Sequence, residues 1–199
     1  MSQPSSRHDL RQGRISSTDR RIVRTRARLV EAFRALIDES PGERVTVSAV
    51  VRRARVARSS FYTHFVDLGD LAATALTEVN DAIVSLARMA VQQGGSRTQT
   101  NRQVGLDIAR YLADRKETFG PLLISGGRFA EALIASLAEQ SMQTLRTRER
   151  LLTNPEVSAH YMAGGLVHVL AWWLNQGQDL TVDELADALI SVTPADFVD

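Results

Sequence analysis

The chain has 199 residues, 44% of them hydrophobic and 24% charged, which is typical of a soluble protein with one large domain or two small ones. It contains no cysteine, so disulfides, thiol catalysis and zinc–thiolate sites are excluded. The first residues lack the apolar core of a signal peptide, and the longest apolar run, residues 164–174, is too short to cross a bilayer. We therefore expect a cytoplasmic protein with no membrane partner.

The net charge of +1 is unevenly distributed. Residues 1–66 hold 14 Arg against 6 Asp or Glu and carry +8, whereas residues 67–199 hold 10 basic and 17 acidic groups and carry −7. This pattern indicates a polyanion-binding module attached to a body that does not bind polyanions. A solvated charged helix face is the simpler alternative, but the basic excess coincides with the motif described below.

Residues 1–17 are rich in Ser, Arg and Gln and are expected to form a disordered basic arm. Its arginines could lie along phosphates or in a minor groove, or the arm could have no role. A helix is predicted from residue 18 to residue 39, because apolar residues recur at helical spacing and Ser40-Pro41-Gly42 ends the pattern.

Residues 46–65, TVSAVVRRARVARSSFYTHF, predict two short helices joined by a tight connection. Thr46 caps the first helix, and residues 54–57 connect it to the second, which runs from Arg58 to Phe65. If Phe61 and Phe65 pack inward, cationic and hydroxyl side chains face outward, and these groups bind phosphates and base edges. Together with the preceding helix, the pair forms a predicted helix-turn-helix domain over residues 18–66.

We assign Arg58 to base reading, because arginine paired with guanine is the commonest specific contact. Tyr62 is assigned to a phosphate, Thr46 to a phosphate at a helix N-terminus, and Arg55 to a phosphate near the turn. His64 could equally contact DNA or pack beside Phe65. The predicted DNA-binding residues are Thr46, Arg55, Arg58, Ser59, Ser60, Tyr62, Thr63 and His64.

The remaining chain is helical in pattern without strand signals, so the fold class is all-α. Helices are expected from Asp67 to Gly94, over 100–114, 127–151 and 155–176, and from Thr181 to Pro194, with a break at Gly120-Pro121. Residues 67–195 would form a second, helical domain.

The helix over residues 155–176 is apolar on two faces and must be buried on both. One face can pack in its own subunit, and the other predicts a partner chain in a symmetric homodimer, although a central helix of a monomer remains the alternative. The predicted interface residues are Tyr161, Gly164, Gly165, His168, Trp172, Leu185 and Leu189.

No catalytic pattern is found. His160 and His168 are two helical turns apart, too far to share a metal ion, and the sequence has neither a phosphate-binding glycine loop nor a GxSxG motif. We expect no enzyme activity, no metal and no cofactor.

The helix-turn-helix segment resembles the DNA-binding signature of the TetR family of bacterial transcriptional regulators. The resemblance lies in Thr46, Ala54-x-Val56, Phe61-Tyr62-x-His64-Phe65 and Leu71, and it covers residues 20–75. This sequence departs from the signature at three positions. Arg55 replaces a turn glycine, Ala57 replaces a capping Ser or Thr, and Leu68 replaces a common Lys. At positive φ, a non-glycine residue costs about 1 kcal/mol, and a lost cap costs about as much.

The resemblance also implies an effector pocket in the helical body. Plausible lining residues are Tyr111, Phe119, Arg128, Phe129, Met142, Met162 and Trp173, each of which could instead be ordinary core. Arg128 either forms a surface ion pair with Glu131 or points inward toward an anionic or carbonyl-bearing ligand.

The resulting hypothesis is a homodimeric, sequence-specific DNA-binding repressor that a small-molecule effector releases from a palindromic operator. The alternative is a helical DNA-binding dimer without a small-molecule ligand, controlled by its abundance or by a protein partner. A pocket filled by side chains would favour this alternative.

Overall fold

The computed structural model describes residues 7–124, 127–177 and 179–199, with side chains described outside residues 7–19 and 78–83. The described residues contain no strand, which confirms the all-α fold class. They form α1 (Arg7–Glu39), α2 (Val47–Ala54), α3 (Arg58–His64), α4 (Leu68–Gln92), α5 (Arg97–Asp114), α6 (Lys116–Ile124), α7 (Arg128–Leu145), α8 (Pro155–Asn175), α9 (Val182–Ser191) and a 3-10 turn (Ala195–Phe197).

Side-chain caps fix where most of these helices begin. The Thr46 hydroxyl accepts from the Ala49 amide at 3.2 Å, and the Asp67 carboxylate accepts from the Asp70 amide at 2.8 Å. Asn154 caps α8, and Thr181 forms a reciprocal capping box at α9. Each cap satisfies an amide that the helix leaves unpaired, and is worth about 1 kcal/mol.

The first helix is longer than predicted, since α1 begins at Arg7 rather than at residue 18. Residues 7–17 are therefore helical, whereas we expected a disordered arm, and residues 1–6 of that arm lie outside the described part. The segment has no proline and one glycine, and Arg, Leu and Gln extend a helix at low cost.

Gly120-Pro121 does not break the chain, because both residues lie inside α6. A β-carbon at Gly120 would approach the Asn175 side-chain oxygen at 3.1 Å, and the Asn175 amide reaches the Gly120 carbonyl at 3.4 Å. Glycine thus lets α6 pack closely against the end of α8.

α7 ends at Leu145 rather than at Leu151. Residues 146–154 form a loop instead. The Asp196 carboxylate holds this loop by accepting hydrogen bonds from the Leu152 amide at 2.8 Å and the Thr153 amide at 3.1 Å.

One hydrophobic core runs through the three-helix head and the body. In the head, Phe61 and Phe65 are fully buried with ring centroids 5.8 Å apart, and they pack with α1 and Leu71 of α4. In the body, Phe119 and Phe129 stack at 5.6 Å. Because each large apolar side chain contributes about 1.5–3 kcal/mol on burial, this continuous core resists separation of head and body.

Polar contacts tie the head to the body at defined points. Arg26 donates to the His64 carbonyl at 3.0 Å and to the Thr74 hydroxyl at 3.1 Å, and Arg34 donates to the Ala75 carbonyl at 2.7 Å. On the other side, the buried Thr118 of α6 bonds the loop between α1 and α2. Thus α4 and α6 are both joined to the head by hydrogen bonds.

No single described helix is long and apolar enough to cross a membrane. Only α6 and α7 taken together, as a pair bent at the break between them, have the required length and composition.

Candidate nucleic-acid interface and effector cavity

The connection between α2 and α3 contains a residue in the left-handed region, as predicted. Arg55 has φ 53° and ψ 48° and ends α2. Arg28 of α1 stabilises this turn by donating to the Ala54 carbonyl and, at 3.3 Å, to the Arg55 carbonyl. A cation placed at the carbonyl end of a helix also interacts favourably with the helix dipole. Arg28 therefore offsets part of the strain that a glycine would avoid.

α3 begins without a side-chain cap, because Ala57 occupies the capping position. Its fully buried residue is Phe61, while Arg58, Ser59, Tyr62 and Thr63 are exposed. The helix is thus held in place by its apolar side, and its polar side is available to a ligand.

Arg58 lies at the centre of a polar cluster on the exposed side of α2 and α3. It donates to the Ser48 hydroxyl at 2.8 Å and to the Tyr62 hydroxyl at 3.2 Å, and Tyr62 itself is 52% exposed. Ser48 was not among the predicted contacts. Its position in the first turn of α2, two residues after the Thr46 cap, could have indicated that it lies near Thr46. The cluster combines a guanidinium with hydroxyl groups, the combination that hydrogen-bonds base edges and phosphates.

The other predicted DNA-binding residues lie around this cluster. Thr46 is exposed, and its oxygen is already an acceptor for the cap, so its hydroxyl proton remains available for a phosphate. The Thr63 hydroxyl donates to the Ser59 carbonyl at 3.2 Å, and Ser60 and His64 are half-buried. Six of the eight predicted residues therefore lie in α3, and Thr46 and Arg55 lie at the two ends of α2, but the eight do not all face the same direction.

A second feature of the head is an open groove of about 890 Å³ between α1 and α3. We call it the arginine groove, and it is lined by Arg20, Arg21, Ile22, Arg24, Thr25, Arg28, Arg55, Val56, Ala57, Ser60, Thr63 and His64. None of these residues is acidic. A groove lined by five arginines concentrates positive potential and is suited to a polyanion backbone.

The body contains a partly open cavity of about 340 Å³ between α4, α5, α7, α8 and α9. Its walls are mainly aliphatic, with Val104, Ile108 and Leu166 as examples, and its polar groups include Arg88 and Gln140. Small-molecule sites have this character, an apolar wall with few polar groups.

Of the seven residues predicted to line a pocket, only Met162 lines this cavity. Phe119, Phe129 and Trp173 are buried core residues instead. The two phenylalanines fill the space between α6 and α7 by stacking, and the Trp173 indole donates to the Leu180 carbonyl at 2.9 Å. They are thus occupied in packing the body.

The other three predicted pocket residues also lie elsewhere. Arg128 is exposed on α7, so it does not point inward toward a ligand. Met142 packs against a small cluster around Leu145. Tyr111 is covered by the Arg115 guanidinium, 4.0 Å from its ring centre, and burial raises the pKa of its hydroxyl.

Four of the predicted dimer residues form an exposed stripe on α8. Tyr161, Gly165, His168 and Trp172 follow one another at spacings of four, three and four, and all are exposed, Tyr161 by 67% and Trp172 by 43%. Gly164 beside them is half-buried, and a β-carbon at either glycine would meet nothing within 4 Å. Exposed aromatic side chains in one row mark an interaction surface.

The structure contradicts one of the two interface residues predicted from α9. Leu185 is buried in its own subunit, and Leu189 lines the cavity. α9 is amphipathic and turns its apolar side inward against α5, where Arg102 pairs with Asp187 at 2.5 Å and Asp183 at 3.6 Å. Leu185 is therefore unavailable to a partner chain, whereas Leu189 is only half-buried.

A helix-turn-helix head with a basic surface, attached to an all-helical body with its own cavity, is an architecture of DNA-binding regulators. No protein-family model matches the sequence, and comparison with curated proteins finds no match. Solved structures do match the fold, and they include transcriptional regulators rather than enzymes.

FadR of Thermus thermophilus, a TetR-family transcriptional repressor solved with lauroyl-CoA, aligns at a TM-score of 0.65 and 16% identity over 84% of this chain and 92% of its own. RolR solved with resorcinol aligns at a TM-score of 0.64 and 15% identity over 88% of this chain and 90% of its own. The fatty acid degradation regulator FadR of Bacillus halodurans aligns at a TM-score of 0.52 and 15% identity over 84% of this chain and 96% of its own. This chain has the fold of the TetR-family regulators.

Proposed function

We propose that this protein is a homodimeric, sequence-specific DNA-binding transcriptional regulator, a repressor that a small-molecule effector releases from its operator. The observation that carries the proposal is the exposed Arg58 cluster on α3, which lies beside the arginine groove. Residues 18–66 act as the DNA-binding head and residues 67–195 as the ligand-binding and dimerisation body.

In this proposal α3 enters the major groove and Arg58 reads a guanine, because its fork of donors matches the guanine O6 and N7 acceptors. Arg58 must first exchange its contacts with Ser48 and Tyr62, and the released hydroxyls then bind phosphates. The arginine groove follows the sugar–phosphate backbone, so it contributes affinity without sequence preference.

The exposed stripe on α8 supports dimerisation, because it is the row of aromatic residues that the subunit leaves uncovered. Two heads joined through α8 place their recognition helices ~34–36 Å apart on a palindromic operator.

The cavity supports effector control, since it is bounded by the same helix, α4, whose other end is bonded to the head through Thr74 and Ala75. A ligand that prefers one position of α4 shifts the population of head spacings. The structural neighbours solved with lauroyl-CoA and resorcinol agree with this role. A regulator without a ligand is less well supported, because side chains do not fill the cavity.

The test is binding of the full-length protein to genomic fragments, including DNA upstream of its own gene, across a salt series. We expect tight binding to a few palindromic sites, with affinity falling steeply as salt rises. Arg58→Ala should lose about 1–3 kcal/mol of site preference. Arg128→Ala, which removes an exposed arginine from α7, is the matched control and should bind as the parent does.

Equal, weak binding to all fragments would refute sequence-specific recognition. Retention of site preference in Arg58→Ala would refute the role assigned to that residue.

Dimerisation is tested separately by sedimentation. Tyr161→Glu places a charge in the α8 stripe and should yield monomers, whereas Val192→Glu, at an exposed apolar residue beyond α9, should leave the dimer intact. A parent protein that sediments as a monomer would remove the proposed interface.

A further inference from the structure

The polar groups of the cavity are unbalanced in charge. Its described lining contains two arginines, Arg88 on α4 and Arg97 on α5, and no aspartate or glutamate. The rest of the lining consists of aliphatic residues, eight neutral polar side chains and Phe197. A molecule with an apolar body and a negative charge complements such a site.

Arg88 has one buried donor that lacks a hydrogen-bond partner. Its Nε is buried and has no hydrogen-bond partner among the described residues, and its Nη2 reaches only the Gln140 carbonyl at the long distance of 3.4 Å. A buried guanidinium donor with no acceptor is costly, and an acceptor supplied by a ligand removes that cost.

Arg97 differs from Arg88 in its surroundings. It occupies the first turn of α5, where the Asp199 carboxylate already accepts from the Arg97 amide at 3.0 Å and from the Thr98 amide at 3.3 Å. A carboxylate therefore already binds the backbone amides at the start of α5, next to Arg97, whereas the described cavity lining around Arg88 holds no carboxylate.

We infer that the cavity binds a small aliphatic monocarboxylate whose carboxylate pairs with Arg88. The inference rests on the proposed function in taking this molecule to be the effector. The planar fork of Nε and Nη matches the two oxygens of a carboxylate, and the aliphatic walls bury the chain. A cavity of about 340 Å³ lies at the small end of the usual range for small-molecule sites, roughly 300–1,000 Å³, so octanoate, an eight-carbon monocarboxylate, is a suitable probe.

Calorimetric titration of the full-length protein with octanoate tests the inference, with octan-1-ol as the uncharged probe. The parent should bind octanoate, and Arg88→Met should bind it roughly 10- to 100-fold more weakly. Arg88→Lys keeps the charge but loses the planar pair of donors, so its affinity for octanoate should lie between those of the parent and Arg88→Met. Arg128→Met, which removes an exposed arginine of α7 outside the cavity lining, is the matched control and should bind octanoate as the parent does. Octan-1-ol should bind parent and Arg88→Met alike.

Chain length gives an independent readout of the cavity volume. Affinity should rise from butanoate to octanoate and stop rising beyond the length that fills the cavity. Thermal melts show whether each variant is folded. If Arg88→Met does not fold, Arg88→Lys still tests the role of the guanidinium.

Failure of octanoate to bind the parent, equal binding of octanoate and octan-1-ol, or unchanged binding by Arg88→Met would overturn the inference. Operator binding is measured on the same samples. If octanoate binds through Arg88 but the protein selects no operator, the carboxylate site is supported and the proposed function in sequence-specific DNA binding is refuted. If operator binding is specific but changes neither with octanoate nor with substitution of Arg88, the proposed DNA-binding function is supported and the inferred ligand class is wrong.

Discussion

Thr118 links the body to the DNA-binding head, and replacing it with valine tests that link. The Thr118 hydroxyl accepts from the Val45 amide at 3.0 Å and donates to the Glu43 carbonyl at 3.1 Å, and the side chain is only 2% exposed. Valine keeps the shape and the β-branch but leaves both backbone groups without a partner. The effect therefore reports the hydrogen bonds rather than a cavity.

The magnitude follows from the burial of each group. The Val45 amide is buried and loses its only recorded acceptor, which costs about 1–3 kcal/mol, whereas Glu43 is exposed and its carbonyl can be rehydrated. We expect Thr118→Val to lower the free energy of unfolding by about 2–3 kcal/mol in total. For a chain of this size the melting temperature should fall by about 4–12 °C.

Urea unfolding followed by circular dichroism, at one fixed protein concentration, measures the change. Thr118→Ser keeps the hydroxyl and removes one methyl group, so it should cost only about 0.8 kcal/mol. If valine is no more destabilising than serine, the two hydrogen bonds do not stabilise the native state and the reasoning is refuted.

Three further changes have defined outcomes. Ala57→Ser should supply the missing cap of α3 and raise the free energy of unfolding by about 0.5–1 kcal/mol; no gain in urea unfolding would contradict it. Arg55→Gly should relieve the left-handed residue and add about 0.5–1 kcal/mol, while reducing the salt slope of DNA binding by about 0.9 because one phosphate contact is lost. Hydrogen bonds from Thr153 and Leu152 hold the pKa of Asp196 below its usual 3.8. The stability that this carboxylate contributes is therefore complete above pH 3.8 and disappears as pH falls through the lower native pKa. Asp196→Asn should be destabilised at neutral pH and converge with the parent in strong acid, and a gap that persists in acid would contradict this.

Local features of the chain were predictable because they depend on neighbours in sequence. Thr46, Asp67 and Thr181 cap helices in the structure as their positions indicated, and Arg55 adopts positive φ. The absence of a cap at Ala57 was also visible. Capping and turn geometry involve residues within about four positions of one another, so the sequence contains the whole interaction.

The pocket was not predictable in the same way. Phe119 and Val104 are both apolar residues of helices, yet the first fills the core and the second lines the cavity. Periodicity shows that a residue faces inward, but it does not show whether a neighbouring helix fills the space beside it. Arg88 did carry a signal, as an arginine within the apolar run of α4, but the sequence could not show which helix it faces.

The sequence by itself determined the all-α class, the helix-turn-helix head, the basic and acidic halves and the exposed apolar stripe of α8, because composition, spacing and capping are properties of short segments. The tertiary structure decided that α9 packs on its own subunit, that Arg128 faces solvent, and that the Nε of Arg88 is buried beside the cavity without an acceptor. These outcomes depend on which helices meet across long separations in sequence, and the packing of side chains from several helices at once determines them.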